Sequence, residues 1–343
     1  LELGFSLMDG GFQNLLERFT ALGGIAENIC QKAGEYGRGV FPIDSSRRTK
    51  IMTPKNLLVS TTNLCLDGNK VVIKDGKGYT EEALAFLEMY WNDYSWGNNG
   101  NSDSASFLNF VVSLSESIKK QLLGNGFVDA SLLSYREDNN SLLKRFISER
   151  SVRFENQSVL APVWEFVNHS TFAAPLRITP DGVETPPIEP SSEEILFKYR
   201  KQDSPMSMWE KYGFACDCVF AYSIPFNIEI RGQALAIQCA GQLGLGPKEK
   251  TNFSFDGDIL FIKSLPVGCL SISLPKANFK AILSSVGLSA DVANQLFPKI
   301  REVNIKARRD LIDSLQESGT GAKAQLYKAL VYEIELIENS LTD

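Results

Sequence analysis

From Phe12 onward, Leu15, Leu16, Phe19 and Leu22 recur at intervals of three and four residues before a glycine pair. That spacing predicts an amphipathic helix with a glycine stop. ICQKAGEYGRGVFPIDSS then breaks into short apolar pieces around glycines, which predicts a strand, a tight turn and a second strand. KIMTPKNLLVS reads as a strand feeding a turn at Pro54, and Asp67-Gly68 beside Val71-Val72-Ile73 predicts a small hairpin. Between about residues 66 and 147 the character turns helical. In SFLNFVVSLSESIKKQLL, the residues Phe107, Phe110, Val111, Leu114, Ile118 and Leu122 form one stripe, expected to be core packing along a single helix. NSLLKRFISER closes the helical block.

Further on, PDGVETPPIEPSS is rich in proline and acid, so the 180–192 stretch is expected to be an exposed loop. ILFKYR resumes as a strand, and FSFDGDILFI reads as a hairpin turning at Asp256-Gly257. Three helices are expected after it, the last burying Leu326, Leu330, Ile334 and Ile337. The charges at Lys306, Arg308, Arg309 and Asp310 are read as solvated helix surface.

Composition narrows the classes. The chain is 43% hydrophobic and 22% charged, in the range of globular proteins. A net charge of -6 and a pI near 5.2 argue against a phosphate-tracking surface, so no nucleic-acid partner is expected. No apolar run approaches the roughly 18–20 residues of a membrane span, and no membrane association is expected. Six cysteines in 38.0 kDa are too sparse for a disulfide scaffold, which points to a reducing, intracellular setting, cytoplasmic by default. Cys216-Asp217-Cys218 is the one close pair; without further ligands nearby it reads as thiols rather than a zinc site. Four Asn-x-Ser matches, at Asn139, Asn156, Asn168 and Asn252, are read as accidental. The chain begins at Leu1, so a leader ahead of it is left open.

The single histidine, His169, sits in FVNHSTF, where a core residue, a general base and a glycosylation neighbour are competing readings. Distant segments add a further one. EYGRGVFPIDSS (residues 35–46), LAPVWEFVNHS (160–170) and MWEKYGF (208–214) occur in this order around a helical insert. Together they resemble the SET-domain protein lysine methyltransferases, in the branch of the Rubisco large-subunit methyltransferase. That branch has a glycine-rich first turn, a helical insert, Pro-x-x-Asp-x-x-Asn-His-Ser and Tyr-Gly-Phe.

The resemblance implies an α+β fold of small sheets with a pseudoknot, interrupted by the 66–147 insert. The SET domain would span 1–225, and a mostly helical substrate-binding domain 226–343. It implies S-adenosylmethionine as cofactor and, as substrate, a lysine on a non-histone protein such as a ribosomal protein, a translation factor or Rubisco. A monomer is expected. Tyr36, Gly37, Arg38 and Gly39 would border the cofactor, the glycines letting backbone approach it. Asn168 and His169 would hold its amino-acid and adenine ends, which makes the histidine a positioning residue. An arginine, Arg150 or Arg153, would meet its carboxylate. Tyr212 would orient the target amine, Tyr222 would line the same channel, and Phe214 would pack in the core or touch adenine. No metal is implied. Two departures stand out: Glu165 replaces the usual Asp, and Asp203-Ser204-Pro205 replaces Ser-Asn before the helix leading to Tyr-Gly-Phe. The alternative reading is a SET-like scaffold that has lost catalysis and binds a partner protein.

Overall fold

The computed structural model describes residues 10–35, 37–135, 138–199, 204–230, 235–244, 252–270, 274–315 and 320–340. It is an α+β chain of small sheets and helices that divides into two compact units, residues 1–105 with 137–201, and 106–136 with 202–343.

In the first unit the helix Gly10–Ala21 buries Phe12, Leu15, Leu16 and Phe19, as its spacing predicts. Each such fully buried side chain contributes roughly 1.5–3 kcal/mol relative to exposure. The strands Ile29–Gly34 and Gly37–Pro42 pair as the expected hairpin. So do Leu64–Asp67 and Lys70–Ile73. The strand Lys50–Pro54 lies inside a four-stranded sheet, between Ile25–Glu27 and Gly182–Glu184, with Arg177–Thr179 on the far edge.

Here the structure corrects the expectation of a wholly exposed 180–192 loop. Val183 is fully buried, and Gly182–Glu184 pairs antiparallel with Lys50–Pro54. A Cβ on Gly182 would lie 2.1 Å from the Thr53 carbonyl oxygen, so the glycine is what lets the two backbones meet. Pro180 precedes the strand, and Pro186 and Pro187 follow it.

The helix Glu81–Met89 starts with Thr80 accepting the Ala83 N–H, and Glu81 and Glu82 occupy its first turn, where carboxylates suit the helix dipole. It continues as a wide π-helical stretch, Tyr90–Gly100, which turns Tyr90, Trp91 and Trp96 into the core.

The second unit has a four-stranded sheet in the order Phe226–Glu229, Ala236–Cys239, Ile259–Ile262, Phe253–Asp256, and a two-stranded pair of Phe220–Tyr222 with Pro266–Cys269. The helices Leu274–Ser285, Ala290–Leu315 and Gly321–Asn339 pack against it through Phe279, Phe297 and Ile337. Leu326, Leu330, Ile334 and Ile337 are buried as expected. The pairing across residues 220–269 runs through the boundary expected at 225. Phe107 and Phe110 of the insert pack on Trp209, with ring centroids 5.4 and 6.5 Å away.

Two further expectations are corrected. The run 106–124 is not one helix: Asn101–Ser113 ends, and Ser115 starts Glu116–Gly124 by accepting the Ile118 N–H. Arg308 is not solvated surface but completely buried. Its guanidinium pairs with buried Glu333 at 2.6 Å and donates to the carbonyls of Asn304 (2.9 Å) and Tyr222 (2.7 Å). Lys306, Arg309 and Asp310 are solvated as expected, in the exposed pairs Lys306–Asp310 and Arg309–Glu338. Among the described residues no helix is long and apolar enough to cross a membrane.

Candidate functional site

In the first unit, the segment around Asn168 is held in place before it reaches the site. Val163 adopts φ 74°, a conformation that β-branched residues resist, and its N–H donates to the Tyr90 hydroxyl at 2.9 Å. The short 3-10 turn Trp164–Phe166 follows, carrying Glu165. Glu165 accepts from the Tyr90 hydroxyl (2.6 Å), the Ser95 hydroxyl (2.6 Å) and Arg150 Nε (2.9 Å). The longer side chain in place of aspartate thus ties the turn to the helical stretch and to the end of Asn139–Arg150. Burial, and then the Glu165 carboxylate, push the Tyr90 phenol well above its ordinary range. For Arg150, burial opposes the charge, but the Glu165 and Glu149 carboxylates outweigh it and raise its pKa.

This arrangement separates the two arginines. Arg150 pairs with Glu165 and Glu149 and lies 4.3 Å from the Phe146 ring centroid. Arg153 is exposed on the hairpin strand Val152–Phe154, opposite Ser158.

Asn168–His169 pairs in parallel with Leu196–Phe197, and Ile195 bonds back to Val40 of the glycine hairpin through its N–H (2.8 Å). Three stretches distant in sequence therefore meet in one corner. His169 is buried, and its Nδ1 accepts the Tyr199 backbone N–H at 3.2 Å, so the proton of the ring belongs on Nε2, which lies 3.3 Å from Thr171 Oγ1. The Tyr199 ring also meets the imidazole edge-on at 4.9 Å. Both ring nitrogens thus face a protein partner.

Asn168 Nδ2 donates to Glu194 Oε1 at 2.6 Å and to the Arg38 carbonyl at 3.2 Å. Gly37 has φ 94°, accessible to glycine, and a Cβ there would meet nothing within 4 Å: its face is open. Gly39 is different. A Cβ there would fall 1.9 Å from Glu194 Oε1 and 3.0 Å from Asn168 Nδ2, so its space is taken by protein groups. The Arg38 side chain is exposed, and only its carbonyl takes part. Tyr36 lies outside the described residues.

In the second unit, the helix Pro205–Tyr212 opens with a reciprocal cap between Ser204 and Ser207 and has Pro205 in its first turn. Of the departure Asp203-Ser204-Pro205, Ser204 and Pro205 thus make a strong helix start, while Asp203 lies outside the described residues. Gly213, at φ 80°, ends the helix directly after Tyr212. The Tyr212 and Phe214 rings lie 6.0 Å apart at 30°. Tyr222 is buried on its strand, 5.9 Å from the Phe220 ring. The sulfurs of Cys216 and Cys218 are 3.6 Å apart. Among the described residues no group of three or more His, Cys, Asp or Glu side chains is arranged to hold a metal ion.

Sequence reasoning missed Glu194, Tyr199, Tyr90 and Ser95. For Glu194 a weak signal existed: a glutamate pair opening a short apolar strand. The others belong to no motif.

No protein-family model and no curated protein matches the chain. Several solved structures are similar. The SET domain of LSMT bound to lysine and AdoHcy gives a TM-score of 0.43 at 13% identity, covering 97% of this chain and 90% of that one. Rubisco LSMT bound to AdoMet gives 0.43 at 12%, with 95% and 89% covered. Rubisco LSMT bound to sinefungin and monomethyllysine gives 0.41 at 14%, with 97% and 90% covered. At this level of likeness the neighbours lend no weight to the role of any residue.

Proposed function

We propose that this chain is an S-adenosylmethionine-dependent methyltransferase acting on a lysine side chain of a non-histone protein. One observation carries the reading: the glycine turn and the Asn-His segment, motifs more than a hundred residues apart, share one corner of the first unit. That corner suits the amino-acid end of the cofactor. Asn168 keeps an amide oxygen for an ammonium group, and the open face of Gly37 leaves room for the rest.

The cofactor, when bound, supplies a methyl group on a positively charged sulfonium. The protein's work is then positional, because an in-line displacement needs alignment more than a proton relay. Asn168 and His169 orient the cofactor. Tyr212, assigned through its Tyr-Gly-Phe motif, orients the target amine, with Phe214 and Tyr222 as aromatic lining. The amine has to arrive with its lone pair free, which apolar surroundings favour by desolvating the charged form. A cytoplasmic monomer remains part of the proposal.

Calorimetric titration with S-adenosylmethionine tests it. The wild-type chain is expected to bind, and Asn168→Ala to weaken binding by about 1–3 kcal/mol by leaving a polar partner unpaired. Unchanged affinity in the variant would mean that the cofactor sits elsewhere. No binding by a folded wild-type chain would favour a scaffold that holds a partner protein.

A further inference from the structure

The hairpin glycines and the Asn168 amide surround the carboxylate of Glu194, to which the motifs assign no role. Glu194 Oε1 accepts from Asn168 Nδ2 at 2.6 Å, and the same nitrogen reaches the Arg38 carbonyl at 3.2 Å. Both partners are acceptors, so the atom facing them must be the amide nitrogen. The flipped amide would set its oxygen against a carboxylate and a carbonyl. An amide nitrogen has two N–H groups, and both are now used. What remains is Oδ1, which can only accept. Among the described residues no hydrogen bond reaches it.

The carboxylate is built into this place. A Cβ on Gly39 would stand 1.9 Å from Oε1, and one on Gly34 2.7 Å from Oε2, so side chains at either position would expel it. The next residue, Ile195, is pinned by its N–H to the Val40 carbonyl at 2.8 Å, and Leu196 is in register with Asn168. The hairpin on one side and the parallel pair on the other hold the Glu194 backbone.

We infer that Glu194 is a positioning residue that fixes the polarity of the Asn168 amide, so that this corner selects ligands carrying a protonated amine. The inference rests on the cofactor reading of Asn168 given above. The negative charge of Glu194 next to the free oxygen favours a cation there for the same reason. With Glu194 removed, only the longer bond to the Arg38 carbonyl still orients the amide, which can then turn and present N–H instead, and the preference for an amine weakens with it.

Three adenosine compounds separate the effects: S-adenosylhomocysteine, its analogue lacking only the α-amino group, and 5′-methylthioadenosine, which has no amino-acid tail. Their affinities are measured by calorimetry on wild type, Glu194→Ala and Glu194→Gln. Wild type is expected to prefer S-adenosylhomocysteine over the deamino analogue by roughly tenfold or more, the worth of one charge-assisted hydrogen bond. Glu194→Ala should bring that ratio towards one while methylthioadenosine binds as before. Glu194→Gln, whose amide oxygen still accepts from Asn168, should keep most of it. An unchanged ratio in Glu194→Ala overturns the inference. So does a parallel loss of all three compounds, which would make Glu194 part of the fold only. A wild-type chain that binds all three without preference also overturns it, whereas one that binds none overturns the cofactor reading itself.

Discussion

Tyr212 illustrates what a single side chain can be asked to do. It ends a capped helix, immediately before a glycine whose left-handed backbone stops further winding. Its hydroxyl thus leaves a rigid support, as alignment chemistry requires. Tyr212→Phe is expected to bind S-adenosylmethionine as wild type does, yet transfer labelled methyl to a protein extract about 10²-fold more slowly, the usual loss for one positioned donor. Equal transfer would remove Tyr212 from the mechanism. Glu165 shows how a departure from a motif is absorbed: its extra methylene places the carboxylate among two hydroxyls and a guanidinium. Nothing in the sequence near Glu165 reveals those partners, because Tyr90 and Ser95 are drawn in by a helix seventy residues away.

Strands and helices were legible in proportion to the local chemistry that makes them. The hairpins at Asp67-Gly68 and Asp256-Gly257 and the last three helices follow from turn residues and periodicity, and they occur where expected. The strand Gly182–Glu184 escaped notice because it is three residues long and lies between Pro180 and Pro186. Its partner strand, not its own composition, creates it. Gly182→Ala tests this: the added methyl has no space beside the Thr53 carbonyl, so the strands must part. A loss of about 3 kcal/mol in urea unfolding is expected, at the upper end for single substitutions. A loss below about 0.5 kcal/mol, the level of ordinary surface changes, would show that the backbones can shift apart at little cost. The split of the 101–124 stripe was missed for a related reason. Periodicity ran on through Ser113 and Ser115, but Ser115 has the side chain to start a new helix, and it does.

Across the chain as a whole, what could not be read was the grouping of distant segments. The family resemblance assigned the glycine turn and the Asn-His segment to one cofactor, and in the fold the Asn168 amide donates to the Arg38 carbonyl. Nothing in the motifs foretold that residues 106–136 would join 202–343 in one compact unit. Nor did charge patterning reveal Arg308, because a guanidinium within a charged run looks solvated until its partner, twenty-five residues later, is known. Its group is completely buried together with Glu333, which also accepts the Met206 N–H at 3.2 Å. Removing one partner is far worse than removing both. Glu333→Ala is expected to cost about 3–5 kcal/mol in chemical denaturation, while Arg308→Met with Glu333→Leu costs much less. Equal losses for the two variants would mean that packing, not charge, holds this place.

That buried pair joins residues made at different times. Ribosomes deliver Met206, Tyr222 and Arg308 before Glu333, so for a time the emerging chain carries a guanidinium destined for the interior with no carboxylate to receive it. An unpaired charge resists dehydration, so burial of this guanidinium has its full compensation only once Glu333 is in place.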